Sequence, residues 1–452
     1  MIDNKKICLS DTAISTELIE KLLERHQPII TNRFKKLQDY YNGNHTILKR
    51  IISDEKKPNN KAVANFCQYT TDILTGFFMG KPVTYTSQND KLLNDIKNIM
   101  KANDEASENH TLAHKSSVKG QSFELIYKDE NSNICFDNLD TDSVICAYDN
   151  TIKKEIALAL RYYIDKDILT DKEKTIIEVY TKDKIFSYEK IENEIKLVNE
   201  EDHYFKEVPI IEFANNRYRK SDFEGVMTLN DMYNLNTSDV ANDIAYFSNC
   251  YLVLENMLST EEKDIVKLKE DRVLLTSEGG KAYYLTKQLN DKAVQNHREN
   301  LKEDIHKFSY VPDLNDIGNV SNLSGSAIKQ KFFATEQVIC NKEREFKKAL
   351  QKRLRLIIND LNLQGNNYDV NEIEIIFNRN IPNNIVELSD AVSKFAGFLP
   401  FESTLEELNK AGATIDIKKA IDLKEKEKQE SIDIFAPPKN QTINNERVIE
   451  NE

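Results

Sequence analysis

The segment at residues 76–82 comes closest to a nucleotide-binding site. It reads GFFMGKP, so a lysine follows a glycine as it does in loops that cradle phosphates. Those loops hold four residues between their glycines and end in a serine or threonine that binds magnesium. Here three residues intervene, and Pro82 takes the last place. Nucleotide hydrolysis is therefore the least favoured hypothesis.

Histidines and cysteines supply the other candidate ligands. His110 and His114 are four residues apart, which places both imidazoles on one helical face, but the glutamate of an H-E-x-x-H motif is missing. The six cysteines form no C-x-x-C pair, which is typical of reduced, buried thiols. No G-x-S-x-G or G-x-G-x-x-G motif occurs. The sequence predicts no catalytic residue, cofactor or metal site.

Length and charge limit the class of protein. A chain of 452 residues with 40% hydrophobic and 30% charged residues is expected to form two or three packed units. The net charge of −13 argues against gripping nucleic acid over the whole surface, but not against letting DNA pass. The first ten residues lack the apolar core of a secretory signal, and no stretch approaches the ~18 apolar residues of a membrane span. We expect the chain to be made and folded in the cytosol.

Apolar spacing predicts helices first and a sheet second. A helix capped at Ser15 or Thr16 is expected to end at Asn42 and Gly43, and further helices are predicted at residues 62–78 and 90–119. From Gln121 the apolar residues recur at every second position, which indicates an antiparallel, meander-like sheet. Its predicted strands are residues 123–127, 144–148, 156–163, 175–180 and 185–188.

The second half of the chain predicts long helices with narrow apolar stripes. Two helices, at residues 223–247 and 291–308, flank a small excursion with strand-like segments at 251–254, 273–275 and 283–285. A loop at residues 312–325 precedes a helix of about 36 residues that ends at Gly365. A strand at 373–377 and short helices at 384–396, 401–411 and 415–430 follow, and then a disordered tail. The fold class is α+β and mainly helical, with a small antiparallel sheet.

The apolar stripes have two interpretations of equal weight. They pack inside one domain, or they are covered by other chains, which favours a structural or assembly protein. A monomeric or dimeric adaptor that uses its helices as a partner groove is the alternative to a large assembly.

Several ordered segments resemble a known family. They are residues 40–45 (YYNGNH), 75–85 (TGFFMGKPVTY), 120–127 (GQSFELIY), 207–213 (EVPIIEF), 309–313 (SYVPD) and 324–329 (SGSAIK). Together they resemble the portal proteins of tailed bacteriophages, specifically the SPP1-like portal family, over residues 15 to 430. The resemblance implies a ring of twelve subunits at one capsid vertex of the virion, through which double-stranded DNA enters during packaging and leaves during ejection.

The resemblance also implies a portal-protein division of the chain and a set of partners. The expected parts are a wing (1–220), a first stem helix (221–250), a clip (251–290), a second stem helix (291–311), a tunnel loop (312–325), a long wing helix (326–364), a wing strand return (365–383), a crown (384–430) and a disordered tail (431–452). The expected partners are other copies of the chain, the terminase large subunit, a head-completion or adaptor protein, scaffold and major capsid proteins, and DNA that passes without being read.

Site residues follow from these parts. The tunnel loop contributes Asp313, Asn315, Asp316, Gly318, Asn319, Ser321, Asn322, Ser324 and Gly325, followed by Lys329 and Lys331. The clip contributes Glu261, Glu262, Lys267, Lys269, Glu270, Arg272 and Glu278. Stem packing is assigned to Val240, Ile244, Phe247, Val294, Leu301 and Ile305. Lys329 and Lys331 either attract phosphate weakly or are ordinary surface positions of a helix, and the two hypotheses have equal weight.

Overall fold

The computed structural model describes residues 6–9, 13–54, 57–166, 168, 171, 173–192, 194–247, 251–256, 279–285, 291–315, 330–380, 394, 400–410 and 417–435. The chain divides into two units. The larger consists of Met1–Ser321 and Lys329–Asn380, and the smaller of Asn322–Ile328 and Ile381–Glu452.

The described part of the larger unit contains more helical residues than strand residues. Its described α-helices are α1 (Thr16–Ile29), α2 (Lys35–Tyr41), α3 (Phe66–Met79), α4 (Asp90–Ala102), α5 (Glu105–Lys119), α6 (Met227–Phe247), α7 (Asp291–Ser309) and α8 (Phe333–Leu363). The predicted first helix is confirmed, with Ser15 accepting a hydrogen bond from the Leu18 N–H at 3.1 Å. A π-helical turn, Ile30–Phe34, follows Pro28 and joins α1 to α2.

Two helix boundaries differ from the prediction. The second helix begins at Phe66 instead of residue 62, because the residues before it are extended and bond to α6. The single helix predicted over residues 90–119 is wrong, since α4 ends at Ala102 and Asp104 takes a positive φ of 46°. Asn103 donates to the Ile134 carbonyl at 3.0 Å, so the break meets the sheet. No large apolar residue stands between Met100 and Leu112, so the interrupted apolar spacing was the signal for this break.

The strands form small sheets. They are β1 (Ile7–Cys8), β2 (Thr84–Thr86), β3 (Gln121–Lys128), β4 (Ile134–Leu139), β5 (Val144–Tyr148), β6 (Ile156–Lys166), β7 (Glu173–Tyr180), β8 (Lys184–Ile191), β9 (Glu194–Asp202), β10 (Ile210–Ala214), β11 (Tyr251–Glu255), β12 (Lys281–Leu285) and β13 (Glu374–Ile376). β5 to β9 form the predicted antiparallel meander, and β1 joins its edge in parallel.

The sheet arrangement also corrects the prediction in part. β3 does not belong to the meander but lies in a separate sheet of order β10-β3-β4. β4 and β9 were not predicted, and β9 is exposed at every residue except Ile195, so it lacks an apolar alternation. β11 pairs with β12, which confirms two of the strand-like segments of the excursion. The segment predicted at residues 273–275 lies outside the described residues. β13 pairs with β2.

The long helix α8 organises the larger unit. It spans 31 residues, fewer than the about 36 predicted, and its predicted stripe is buried from Ile339 to Leu361. Phe346 packs against Phe213 and Phe78, with ring centroids 4.7 and 5.4 Å apart. Since Phe213 belongs to β10 and Phe78 to α3, α8 joins a sheet to the helical layer.

The smaller unit contains two described helices, α9 (Phe401–Lys410) and α10 (Ile417–Phe435). Both helices were predicted, and α10 continues past the predicted end at residue 430. Leu405 and Leu408 are buried, and the Lys424 ammonium lies 3.4 Å from the ring centroid of Phe401. The helix predicted at residues 384–396 lies outside the described residues except for residue 394, as does the tail from residue 436.

Candidate functional site

The helices α6 and α7 pack against each other, but their apolar stripes are covered only at one end. Leu301 and Ile305 are 5% and 1% exposed, and Ile305 packs in a cluster that includes Val226 at the start of α6. Farther from that cluster Val240 and Val294 are half-buried, and Ile244 is 60% exposed. The side chain of Phe247, the remaining predicted stem position, lies outside the described residues. The predicted stripe is therefore buried at its base and exposed toward its tip.

Buried polar side chains hold the base of α6. Asn230, Asn234 and Ser238 are 0% exposed and four residues apart, and Asn242 continues the row. This row, the amide ladder, faces the extended segment of residues 60–64. We did not predict this row from the sequence, although polar residues spaced four apart along an otherwise apolar helix would have indicated it.

The amide ladder binds the extended backbone as a neighbouring strand would. Asn242 accepts from the N–H of residue 60 at 2.6 Å, Ser238 from that of residue 62 at 2.9 Å and Asn234 from that of residue 64 at 2.8 Å. Asn230 donates back to the carbonyl of residue 64 at 2.7 Å. Four residues of helix rise about 6 Å, close to the length of two extended residues, so the two periods match. The ladder fastens α6 to the rest of the larger unit.

Removing one rung tests the ladder. Asn234→Ala is expected to destabilise the larger unit by about 1–3 kcal/mol, because the N–H of Ala64 and the Nδ1 of His45, 2.8 Å from the Asn234 amide, both lose a buried partner. Trypsin should then cut faster near Lys57 and Lys61. The control is Asn98→Ala on the exposed face of α4, which should change neither thermal unfolding nor cleavage. If the two variants have the same unfolding temperature and the same cleavage rate, the ladder does not stabilise the larger unit.

Residues 310–313 are held on three sides at the start of the predicted tunnel loop. The His306 ring nitrogen lies 3.0 Å from the Val311 carbonyl, and Tyr69 donates to the Pro312 carbonyl at 3.3 Å. Lys302 forms an ion pair with Asp313. Partial burial opposes ionisation of Asp313, but the hydrogen bonds from Lys302 and the Asn315 N–H, together with the charge of Lys302, outweigh it and lower the pKa of that carboxyl. The start of the loop is therefore fixed to α7 and α3.

The described residues before and after the loop meet. Thr335, which is fully buried in the first turn of α8, donates to the Tyr310 carbonyl at 2.6 Å. Tyr310 has a positive φ of 61°, where the chain turns away from α7. The described residues on the two sides of the predicted loop therefore lie next to each other.

The structure describes only part of the predicted site. Asp313 and Asn315 lie at the start of the loop, where the Asn315 N–H donates to the Asp313 carboxylate at 3.0 Å. Lys331 is exposed and helical just before α8. The other predicted loop positions lie outside the described residues: Asp316, Gly318, Asn319, Ser321, Asn322, Ser324, Gly325 and Lys329. All of the predicted clip positions lie outside them too.

The segment that superficially matches a phosphate loop is helical. Gly76 lies inside α3, and Phe77 and Phe78 stack on Phe332 and Phe377 with centroids 5.5 and 5.6 Å apart. These residues pack the junction of α3 with the start of α8 and the strand return, so residues 76–79 are part of a helix and do not form a loop that could cradle a phosphate.

The two histidines of α5 have separate surroundings. His114 lies 2.9 Å from the Tyr41 hydroxyl and 3.8 Å from Asp72, while His110 is exposed. Burial lowers the pKa of His114, which favours the neutral ring. Within the described ranges no group of three or more histidine, cysteine or acidic residues could hold a metal ion. In those same ranges no helix is long and apolar enough to cross a membrane.

Buried ion pairs along α8 were missed by the sequence analysis. Arg353, which is 0% exposed, donates to Glu124 of β3 at 2.8 Å and to Asn109 of α5 at 2.8 Å. One side of the same helix carries Lys342, which donates to Asp222 at 2.6 Å. The paired residues are more than 100 positions apart in the chain, so no local pattern links them.

The chain is similar to several known proteins. The sequence model of the family described as phage portal protein, SPP1 Gp6-like, matches residues 20–433. The chain is 26% identical over 390 residues to the portal protein of Clostridium phage phiCD119, covering 80% of this chain and 85% of that protein. It is 25% identical over 324 residues to the portal protein of Bacillus phage SPP1, covering 66% of this chain and 63% of that protein.

Solved structures are similar too, among them the neck of an empty GTA particle computed with C6 symmetry. It has a TM-score of 0.48 and 9% sequence identity, and the match covers 76% of this chain and 90% of that one. The family match covers most of the chain. The chain therefore belongs to the SPP1 Gp6-like family of phage portal proteins.

Proposed function

We propose that copies of this chain close into a ring, with twelve the expected number, at one vertex of a phage capsid. Double-stranded DNA passes through the ring during packaging and ejection. Membership of the portal family carries this proposal. The helix pair α6 and α7 supports it, because an apolar stripe that is buried at its base and exposed toward its tip needs a cover, which a neighbouring subunit would supply.

In this proposal the helix pair is the stem, and the pair β11 and β12 belongs to the clip that meets the terminase large subunit and the head-completion protein. The N-terminal helices, the sheets and α8 form the wing, and the helices of the smaller unit form the crown. Scaffold and major capsid proteins are the further partners. Assembly takes place in the host cytoplasm, and the proposed role includes no enzymatic step.

The charge of the chain fits a DNA channel. Duplex DNA carries one phosphate per ~1.7 Å of its axis, so a protein with a net charge of −13 gains little from counterion release and lets the duplex slide. The tunnel loop is the moving contact, since its base is fixed by Thr335 and Lys302 while its glycines allow cheap changes of backbone angles. Lys329 and Lys331 would add a weak attraction for phosphate.

Stiffening the loop tests this role. Gly318→Pro is expected to leave the ring intact and to lower DNA packaging at least tenfold, because proline fixes φ where the loop must move. Packaging is measured as DNA protected from nuclease inside particles. Gly318→Ala is the control and should package nearly normally, since alanine restricts the backbone far less. Normal packaging with proline would contradict a moving loop, and loss of the ring would make Gly318 an architectural residue.

A further inference from the structure

A basic cleft lies on the larger unit, away from the stem and the loop. It has a volume of about 1150 Å³ and runs between α8, the strands β5 and β6, and the edge strand β10. Nine lysine and arginine side chains line it against six carboxylates, although the whole chain is acidic. A local excess of positive charge in an acidic protein indicates a site that attracts anionic groups.

The outer edge of strand β10 borders the cleft. In the antiparallel pairing of β10 with β3, the Pro209 carbonyl accepts from Ile126 and the Asn215 N–H donates to Gly120, each at 3.0 Å. Odd-numbered residues therefore bond toward β3, and the N–H and carbonyl groups of Ile210, Glu212 and Ala214 point to the other side. Ile211, Glu212 and Ala214 line the cleft. Lys352, which lines it too, bonds to the outward carbonyl of Ile210, so this edge of β10 borders the cleft.

Lys352 supports this assignment of the β10 edge and adds a partly buried cation. Its ammonium donates to the outward carbonyl of Ile210 at 2.9 Å. Burial lowers the pKa of Lys352 to about 8, and among the described residues its hydrogen-bond partner is a neutral carbonyl. A carboxylate entering the cleft would stabilise this charge. Arg355 and Arg219, by contrast, are already paired with Glu207 and Glu212.

Apolar residues line the same cleft. Ile156, Val208, Ile211 and Ala349 contribute to its surface beside the charged side chains. An extended peptide presents its side chains alternately to two sides, so it can offer acidic groups to the lysines and apolar groups to these residues. A nucleic-acid backbone fits less well, because its unbroken row of phosphates would meet the six carboxylates of the cleft.

We propose that the cleft binds an extended acidic segment of a partner protein, which adds as a strand to the outer edge of β10. The backbone edge supplies affinity, and the lysines select glutamate and aspartate side chains. This interaction is separate from the proposed DNA channel, because it uses neither the stem nor the tunnel loop.

Fluorescence anisotropy of a labelled short peptide with alternating glutamate and valine tests the proposal on the full-length chain in its assembled form. We expect saturable binding at low ionic strength. A triple variant, Lys182→Glu, Lys206→Glu and Lys348→Glu, changes exposed side chains that line the cleft and should weaken binding at least tenfold. The matched control reverses three exposed lysines on other helices, Lys35→Glu, Lys97→Glu and Lys101→Glu, and should bind like the unmodified chain.

A second pair of probes separates strand addition from simple attraction of anions. The same peptide with N-methyl groups on alternate residues keeps its charge but loses the donors that a strand needs, and it should bind at least tenfold more weakly. Duplex DNA or inorganic phosphate, added at the same total charge as the peptide, should not displace the peptide. Equal binding of the N-methylated peptide, displacement by DNA or phosphate, or unchanged affinity of the cleft variant would each overturn the proposal. None of these outcomes bears on whether the ring forms.

Discussion

Ile244→Asp is expected to stop the chain from closing into rings and to leave separate, folded chains. In the single chain Ile244 is 60% exposed on the tip of the α6 stripe, so an aspartate there costs the isolated fold little. At a seam between subunits the same carboxylate would be buried among apolar side chains, which costs several kcal/mol at every interface. Because a ring repeats its interface at every subunit, the cost is repeated around the circle.

The mass distribution in solution checks this prediction. The unmodified chain should give a particle many times the 52.3 kDa of one subunit, and the variant should give mainly single chains. Ile152→Asp is the matched control, since Ile152 is fully exposed in the turn between β5 and β6 and should not affect assembly. Rings that form equally well from the Ile244 variant would show that this face of α6 is not part of the interface.

Arg353→Met is expected to destabilise the larger unit by about 3–5 kcal/mol, because it leaves Glu124 buried without its cation. Glu124 is 0% exposed, and Arg353 also lies 4.5 Å from the ring centroid of Phe136, so the position joins α8 to the β3-β4 sheet. The fall in the midpoint of thermal unfolding measures the effect. The control is Arg355→Met, whose partly exposed pair with Glu207 should be worth at most about 1 kcal/mol.

The pH dependence of the Arg353 variant separates a lost ion pair from lost packing. Burial already raises the pKa of Glu124, and without Arg353 that pKa should rise further. A carboxyl whose pKa is higher in the folded than in the unfolded chain stabilises the fold less as pH increases. The variant should therefore lose more stability at pH 8 than at pH 5, relative to the unmodified chain. A loss that is the same at both values would indicate packing alone.

Local signals predicted the helices and the meander well. The cap at Ser15 and the stops at Gly43 and Gly365 depend on a few neighbouring residues, so they can be read from the sequence. The break at Asp104 also left a local signal that the prediction did not use, since no large apolar residue stands between Met100 and Leu112. β9 was missed because it is an edge strand with one buried residue, and such a strand shows no apolar alternation.

The contacts that hold the candidate site in place are long-range, and for that reason they escaped prediction. The amide ladder on α6 binds residues 60–64, more than 160 positions earlier in the chain. Thr335 joins the start of α8 to Tyr310, just before the predicted loop, a contact that periodicity alone could not predict. The resemblance to portal proteins predicted the order of the parts, but only the structure placed Ser238 or Arg353 among their partners.

The mass of the purified full-length particle, measured at several concentrations together with electron micrographs of the same sample, tests the central claim most directly. The proposal predicts annular particles of several hundred kilodaltons, a whole-number multiple of the 52.3 kDa chain, with a central hole wide enough for duplex DNA. A stable single chain at every concentration, with no annular particles, would contradict it.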